Sequence, residues 1–201
     1  MTRFLLLFLL NTIHPIVMAQ NSTEASQYYT NLNRAELIQL ANDAIALKYP
    51  DFKFDTKDYK ITAWKNSEKT VVKYKRIIQF IPLGRARDNL RYDVEVDLTN
   101  QHISPFDTWG MENFYIPTRE EQEKINFVVQ AFGVERFSHK NSIKEDADMY
   151  VIHVSSKAAF GKYFIDKLTG KECMGAIESS YIQKPLIPNL TNVDPMVEIR
   201  E

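Results

Sequence analysis

The chain has 201 residues, 44% of them apolar and 25% charged, and a net charge of −1. That is enough chain to bury the core of one ordinary domain or two small ones, and the charge balance excludes a strongly basic nucleic-acid binder. The single cysteine, Cys173, excludes an intramolecular disulfide, so stability has to come from packed side chains.

The first segment, MTRFLLLFLLNTIHPIVMAQ, sets Arg3 before an unbroken apolar run from Phe4 to Leu10 and puts Val17 and Ala19 at small-residue positions. Residues 1–19 are therefore expected to be a signal peptide cleaved before Gln20. Asn11, Thr12, His14 and Pro15 interrupt the segment, which leaves it short of the roughly 20 apolar residues a spanning helix needs. No cysteine follows the run to carry a lipid, so a periplasmic or secreted location without a stable membrane anchor is expected. Two sequons, at Asn21 and Asn189, matter only where exported proteins are glycosylated.

Residues 20–32 read as a polar, flexible arm. Asn33 and Glu36 then have capping-box spacing, and Leu37, Leu40, Ala41, Ala44, Ile45 and Lys48 form one helical stripe ended by Pro50. Alternation with a two-residue period follows in YKITAWK (59–65), in the β-branched and aromatic run TVVKYKRIIQFI (70–81), and most cleanly in LRYDVEVDL (90–98). Each reads as a strand with one buried and one wet face. The segment SPFDTWGMENFYIP (104–117) has neither period and reads as an apolar connector, with Phe106, Trp109, Phe114 and Tyr115 expected to pack between two halves.

Thr118 and Glu121 make a second capping box, Ile125, Val128, Val129 and Phe132 a second stripe, and Gly133 a helix end. Strands are expected at MYVIHVS (149–155), GKYFIDK (161–167) and 172–177, followed by an extended tail with prolines at 185, 188 and 195. The order helix, strands, connector, helix, strands predicts an α+β fold of two repeated units, each an amphipathic helix packed on an antiparallel β-meander. The divisions are a first unit at 33–103, the connector at 104–117, a second unit at 118–178 and the tail at 179–201.

Two stretches, ELIQLANDAIALKYPDFKFDTKDYKI and LRYDVEVDLTNQHI, together resemble the PepSY family of small exported cystatin-like domains. IDKLTGK (165–171) matches that family's hairpin pattern of Ile/Val-Asp-x-x-Thr-Gly-Lys. VDLTNQ (96–101) departs from it, being one residue shorter between Asp and Thr and carrying Asn100 in place of the glycine. The resemblance covers residues 33–178 as two divergent copies. It implies a non-catalytic role, commonly the binding or restraint of a peptidase, and carries over no catalytic residue and no cofactor.

The residues themselves offer little chemistry. His102, His139 and His153 lack the close partners of a zinc site, and no nucleophile elbow is present. KEDAD (144–148) lacks the glycine and alternation of a calcium loop and reads as a solvated turn. Cys173 reads as a half-buried residue, with a thiol hydrolase as the enzymatic alternative. Charge is more informative. Between Lys60 and Arg91 lie nine basic residues and two acidic ones, Glu68 and Asp88. They predict either a solvated sheet face with protective lysines or a docking surface for another exported, acidic protein. Lys73 and Lys75 share a face opposite to Arg76. With Arg85 and Arg87 in the loop PLGRARDN and Trp109 in the connector, they are the expected protein-binding residues. The expected function is a non-catalytic protein-binding or inhibitory module, with a periplasmic immunity protein against a secreted toxin as a sharper variant.

Overall fold

The computed structural model describes residues 28–29, 31–53, 55–137, 140–155, 160–173 and 194–200. The expected signal segment, both sequons, His139, residues 174–178 and the prolines at 185 and 188 lie outside the described residues. The fold is α+β, with two antiparallel-rich sheets and few helices. Among the described residues no helix is long and apolar enough to cross a membrane.

Helix α1 (Arg34–Lys48) begins at a complete capping box: Glu36 N donates to the Asn33 side chain at 3.0 Å and Asn33 N donates back to Glu36 at 2.8 Å. Two otherwise orphaned amides are satisfied reciprocally, which fixes the helix start. The first sheet contains β1 (Tyr59–Lys65), β2 (Thr70–Arg76), β4 (Val94–Asp97), β5 (His102–Ser104) and β10 (Val197–Ile199), in the order β10-β1-β2-β4-β5 with every neighbour antiparallel. Ala63, Val72, Val96 and Ile103 stand side by side across four strands. They share a core with Leu37, Ala41 and Ile45 of α1. Burying each such Leu or Ile contributes about 1.5–3 kcal/mol relative to exposure.

The second sheet contains β3 (Ile78–Ile81), β6 (Lys140–Glu145), β7 (Met149–Ser155), β8 (Phe160–Asp166) and β9 (Glu172–Cys173), in that order, with β3 parallel to β6 and the rest antiparallel. Helix α3 (Arg119–Phe132) has its own capping box from Thr118 and Glu121 and ends at Gly133, with φ +94°. Its Ile125, Val128 and Phe132 share a second core with Phe80, Ile143, Ile152 and Ile165. A one-turn helix α2 (Phe106–Trp109) stands between β5 and α3 in the chain.

The expected single strand over 70–81 is divided at Ile77. Val72 and Tyr74 belong to the first core, whereas Phe80 and Ile81 belong to the second. The alternation over 90–98 is divided in the same sense: Leu90 and Tyr92 are buried in the second core, and Val94, Val96 and Leu98 in the first. Two stretches of chain thus tie the two cores together. Arg76 sits at the first crossing with its side chain 5% exposed, held by Asp58 at 3.1 Å, the Tyr59 hydroxyl at 3.3 Å and the Ile78 carbonyl at 3.2 Å.

Strand β6 is absent from the sequence expectations, because two of its inward residues, Asn141 and Glu145, are polar. Both are buried, and both are partnered. Residues 146–148 form the expected exposed turn before β7, whereas Lys144 and Glu145 belong to β6 and Glu145 is buried. The expected arm is partly held, since Tyr29 and Leu32 pack against the first core. The tail returns to the first sheet: Asp194 accepts Ser67 N at 2.6 Å, and β10 pairs with β1.

Candidate functional site

Sheet pleating decides where the basic residues of β2 go. Val72 and Tyr74 face α1, so Lys73 and Lys75 project from the opposite face. On that face Lys73 stands directly across from Glu95 of β4 and closes an ion pair of 3.1 Å, and Glu95 is registered with Ser104 of β5. Beyond β5, the Gly110 turn ends α2 and leaves Trp109 60% exposed. Trp109 therefore departs from the expected packing between two halves. Phe106 and Phe114 join the first core, Tyr115 joins the second, and Trp109 stays at the surface.

These elements form an open cleft of about 290 Å³, lined by Lys73, Lys75, Arg91, Glu95, Ser104 and Trp109, with Asp93, Val94 and Pro105 completing its wall. A second depression of about 240 Å³ shares Arg91 and Trp109 and is bounded by Asp88 and Asn89. Three of the expected contact residues, Lys73, Lys75 and Trp109, thus meet in one place. Arg91 was not singled out in the sequence, where it reads as one more wet position of an alternating strand. Its carbonyl accepts Tyr115 N at 2.8 Å and its guanidinium donates to Asp88 O at 2.8 Å. The first bond ties the Arg91 backbone to the connector and the second orients its guanidinium, in depressions that Arg91 shares with Trp109.

Arg85 and Arg87 lie elsewhere. Each sits over an aromatic ring at the second core, Arg85 at 5.7 Å from Tyr115 and Arg87 at 5.1 Å from Tyr92. Both remain exposed. The local basic excess is also diluted in space, because Asp58 and Glu95, from outside or beyond the run, pair with Arg76 and Lys73.

On two edge strands, backbone groups are already taken by side chains. Ile103 N on edge strand β5 donates to Asp107 at 2.5 Å. On edge strand β3, the carbonyls of Ile78 and Phe80 accept from Arg76 and from the Tyr92 hydroxyl, the latter at 2.6 Å. Such capping blunts an edge as a template for another chain.

Cys173 is exposed rather than half-buried, and its sulfur lies 3.8 Å from the Lys171 carbonyl. His102 instead approaches Asp107, at 3.4 Å. Among the described residues no group of three His, Cys, Asp or Glu is arranged to hold a metal ion. No protein-family model, curated protein or solved structure matches the chain.

Proposed function

We propose that the protein is an exported, non-catalytic protein-binding module that holds an acidic partner in the cleft of Lys73, Lys75, Arg91 and Trp109. The carrying observation is that residues far apart in the sequence meet there, with three cations against two carboxylates, Asp93 and Glu95, in the lining. An exposed tryptophan beside cations has the composition of an interface anchor, since Trp and Arg dominate binding hot spots. Arg85 and Arg87, outside the cleft, add charge that steers the encounter.

The chain is further proposed to be two divergent PepSY-like units, at 33–103 and 118–178. Support comes from serial order: α1 precedes β1, β2, β4 and β5 as α3 precedes β6, β7, β8 and β9, in matching sheet positions. Each sheet then takes one further strand beside the first of its four. β10 joins β1, and β3 joins β6. The two Asp-Thr hairpins are also alike. Asp97 accepts Asn100 N at 3.0 Å as Asp166 accepts Thr169 N at 2.7 Å, and the fourth residue after each Asp has positive φ, Gln101 at 53° and Gly170 at 66°.

Site-specific photo-crosslinking in the exported fraction tests the binding reading. Trp109→benzoylphenylalanine is expected to capture one partner, and the same replacement at Leu47, exposed on α1, is expected to capture none. Equal capture from both positions would overturn it. A toxin as the captured partner would make the protein an immunity factor, and a peptidase would make it an inhibitor.

A further inference from the structure

Within the cleft, the cations are not equivalent. Lys73 is neutralised by Glu95 at 3.1 Å. Lys75 has no carboxylate partner among the described residues, and its direct cross-strand neighbour on β1 is Lys60, another cation. Like charges placed opposite each other on a sheet face repel. Arg91 also has no carboxylate within ion-pair distance among the described residues, and its hydrogen bond to Asp88 O leaves other guanidinium donors available. Asp93, whose carboxylate accepts Arg76 N at 3.0 Å, is the other anion of the lining, so three cations against Asp93 and Glu95 leave the first depression one surplus positive charge, while Asp88 balances Arg91 in the second.

We infer that the cleft recognises a partner segment presenting a single carboxylate next to an aromatic side chain. The carboxylate lies between Lys75 and Arg91, and the ring lies on Trp109. This assignment rests on the protein-binding reading of the cleft. One surplus positive charge matches a monoanion, and a dianion such as a phosphate would exceed it. The guanidinium offers forked donors suited to carboxylate geometry. The indole of Trp109, 60% exposed, offers stacking area to an aromatic side chain. Because the Ile103 N–H of β5 is already taken by Asp107, the segment is read by its side chains more than as an added strand. An open cleft of about 290 Å³ admits one or two side chains, not a whole small-molecule cofactor.

The probes are three capped dipeptides, N-acetyl-aspartyl-phenylalanine amide, its asparaginyl counterpart, and N-acetyl-aspartyl-alanine amide. Each is titrated into the full chain while the Trp109 indole N–H resonance is followed by NMR, assigned with Trp64→Phe. The aspartyl-phenylalanine amide is expected to bind roughly tenfold more tightly than either of the others. Lys75→Gln and Arg91→Gln should each abolish most of that preference, whereas Lys73→Gln should retain it. Equal affinity for the asparaginyl probe, tighter binding of a phosphoseryl-phenylalanine amide, or no shift of Trp109 with any probe would overturn the assignment. If crosslinking from position 109 still captures a partner that Trp109→Ala releases, only the carboxylate specificity has failed. If capture is equal from Leu47, the cleft itself has failed.

Discussion

Asp107 accepts the backbone amide of Ile103 at 2.5 Å while pairing with Lys48 at 2.7 Å. One carboxylate thereby joins the edge strand of the first sheet to the C-terminal end of α1, and it also accepts the Tyr49 hydroxyl. Burial alone would raise its pKa. The hydrogen bonds from Lys48, Tyr49 and Ile103, with the Lys48 charge, outweigh burial and hold it below the usual carboxylate value. A depressed folded-state pKa contributes stability that is present above the unfolded value and is lost as pH falls through the folded one. Asp107→Asn is therefore expected to lower stability by about 1–3 kcal/mol at neutral pH. The difference from the parent should shrink as pH falls through the acid range below 3.8. Urea unfolding across pH reads this, and a difference independent of pH would contradict it.

The same carboxylate guards an edge. Asp107→Ala frees the Ile103 N–H on β5 and should expose that strand to pairing between chains. The expected outcome is concentration-dependent self-association in analytical ultracentrifugation, greater than that of Lys48→Ala, which removes an ion pair but leaves the amide capped.

The two hairpins differ in backbone strain. Gln101 has φ +53° where the later hairpin has Gly170. A non-glycine residue in the left-handed region is strained by roughly 1–2 kcal/mol, partly offset by the greater unfolded-state freedom of glycine. Gln101→Gly should thus stabilise by about 0.5–1 kcal/mol. Gly170→Ala should destabilise by about 1–2 kcal/mol, because its new methyl would also lie 3.2 Å from the Phe127 ring. Thermal unfolding of the two variants should move in opposite directions.

Glu145 anchors the second sheet. Its carboxylate, 7% exposed, meets Lys124 at 3.1 Å and Lys167 at 3.0 Å. Burial opposes ionisation, but the two lysines and the amide of Leu83 hold its pKa below normal. Glu145→Ala leaves Lys167 without its carboxylate and Lys124 with only the exposed Glu120, at 3.1 Å, and should cost about 1–3 kcal/mol. Lys124→Met with Glu145→Leu and Lys167→Met, which removes the triad together, should cost less than the single change. Denaturant midpoints decide the order.

Both long helices were legible because their caps and stripes are local: Asn33 with Glu36, Thr118 with Glu121, and apolar residues at helical spacing. The strands were legible only where one core received them. Buried alternation cannot report which core a residue enters, so the divisions at Ile77 and between Tyr92 and Val94 were not readable. Strand β6 was hidden because Asn141 and Glu145 are inward and polar, and only their tertiary partners make that burial tolerable. The resemblance to PepSY hairpins pointed to matching turns but aligned them one residue out. It assigned the glycine's role to Asn100, whereas Gln101 has the positive φ. Of the site, Lys73, Lys75 and Trp109 were named from charge and composition. Arg91 was not, since the depressions it shares with Trp109 depend on tertiary folding, which ties its carbonyl to Tyr115 N at the end of the connector.

The most direct test is the binding kinetics of the captured partner with four purified variants at low and high salt. Lys75→Gln and Trp109→Ala are expected to raise the dissociation rate by roughly tenfold or more, as for anchors inside an interface. Arg85→Glu and Arg87→Glu should instead slow association at low salt and have little effect at high salt. Unchanged dissociation for both Lys75→Gln and Trp109→Ala would contradict the cleft as the binding site.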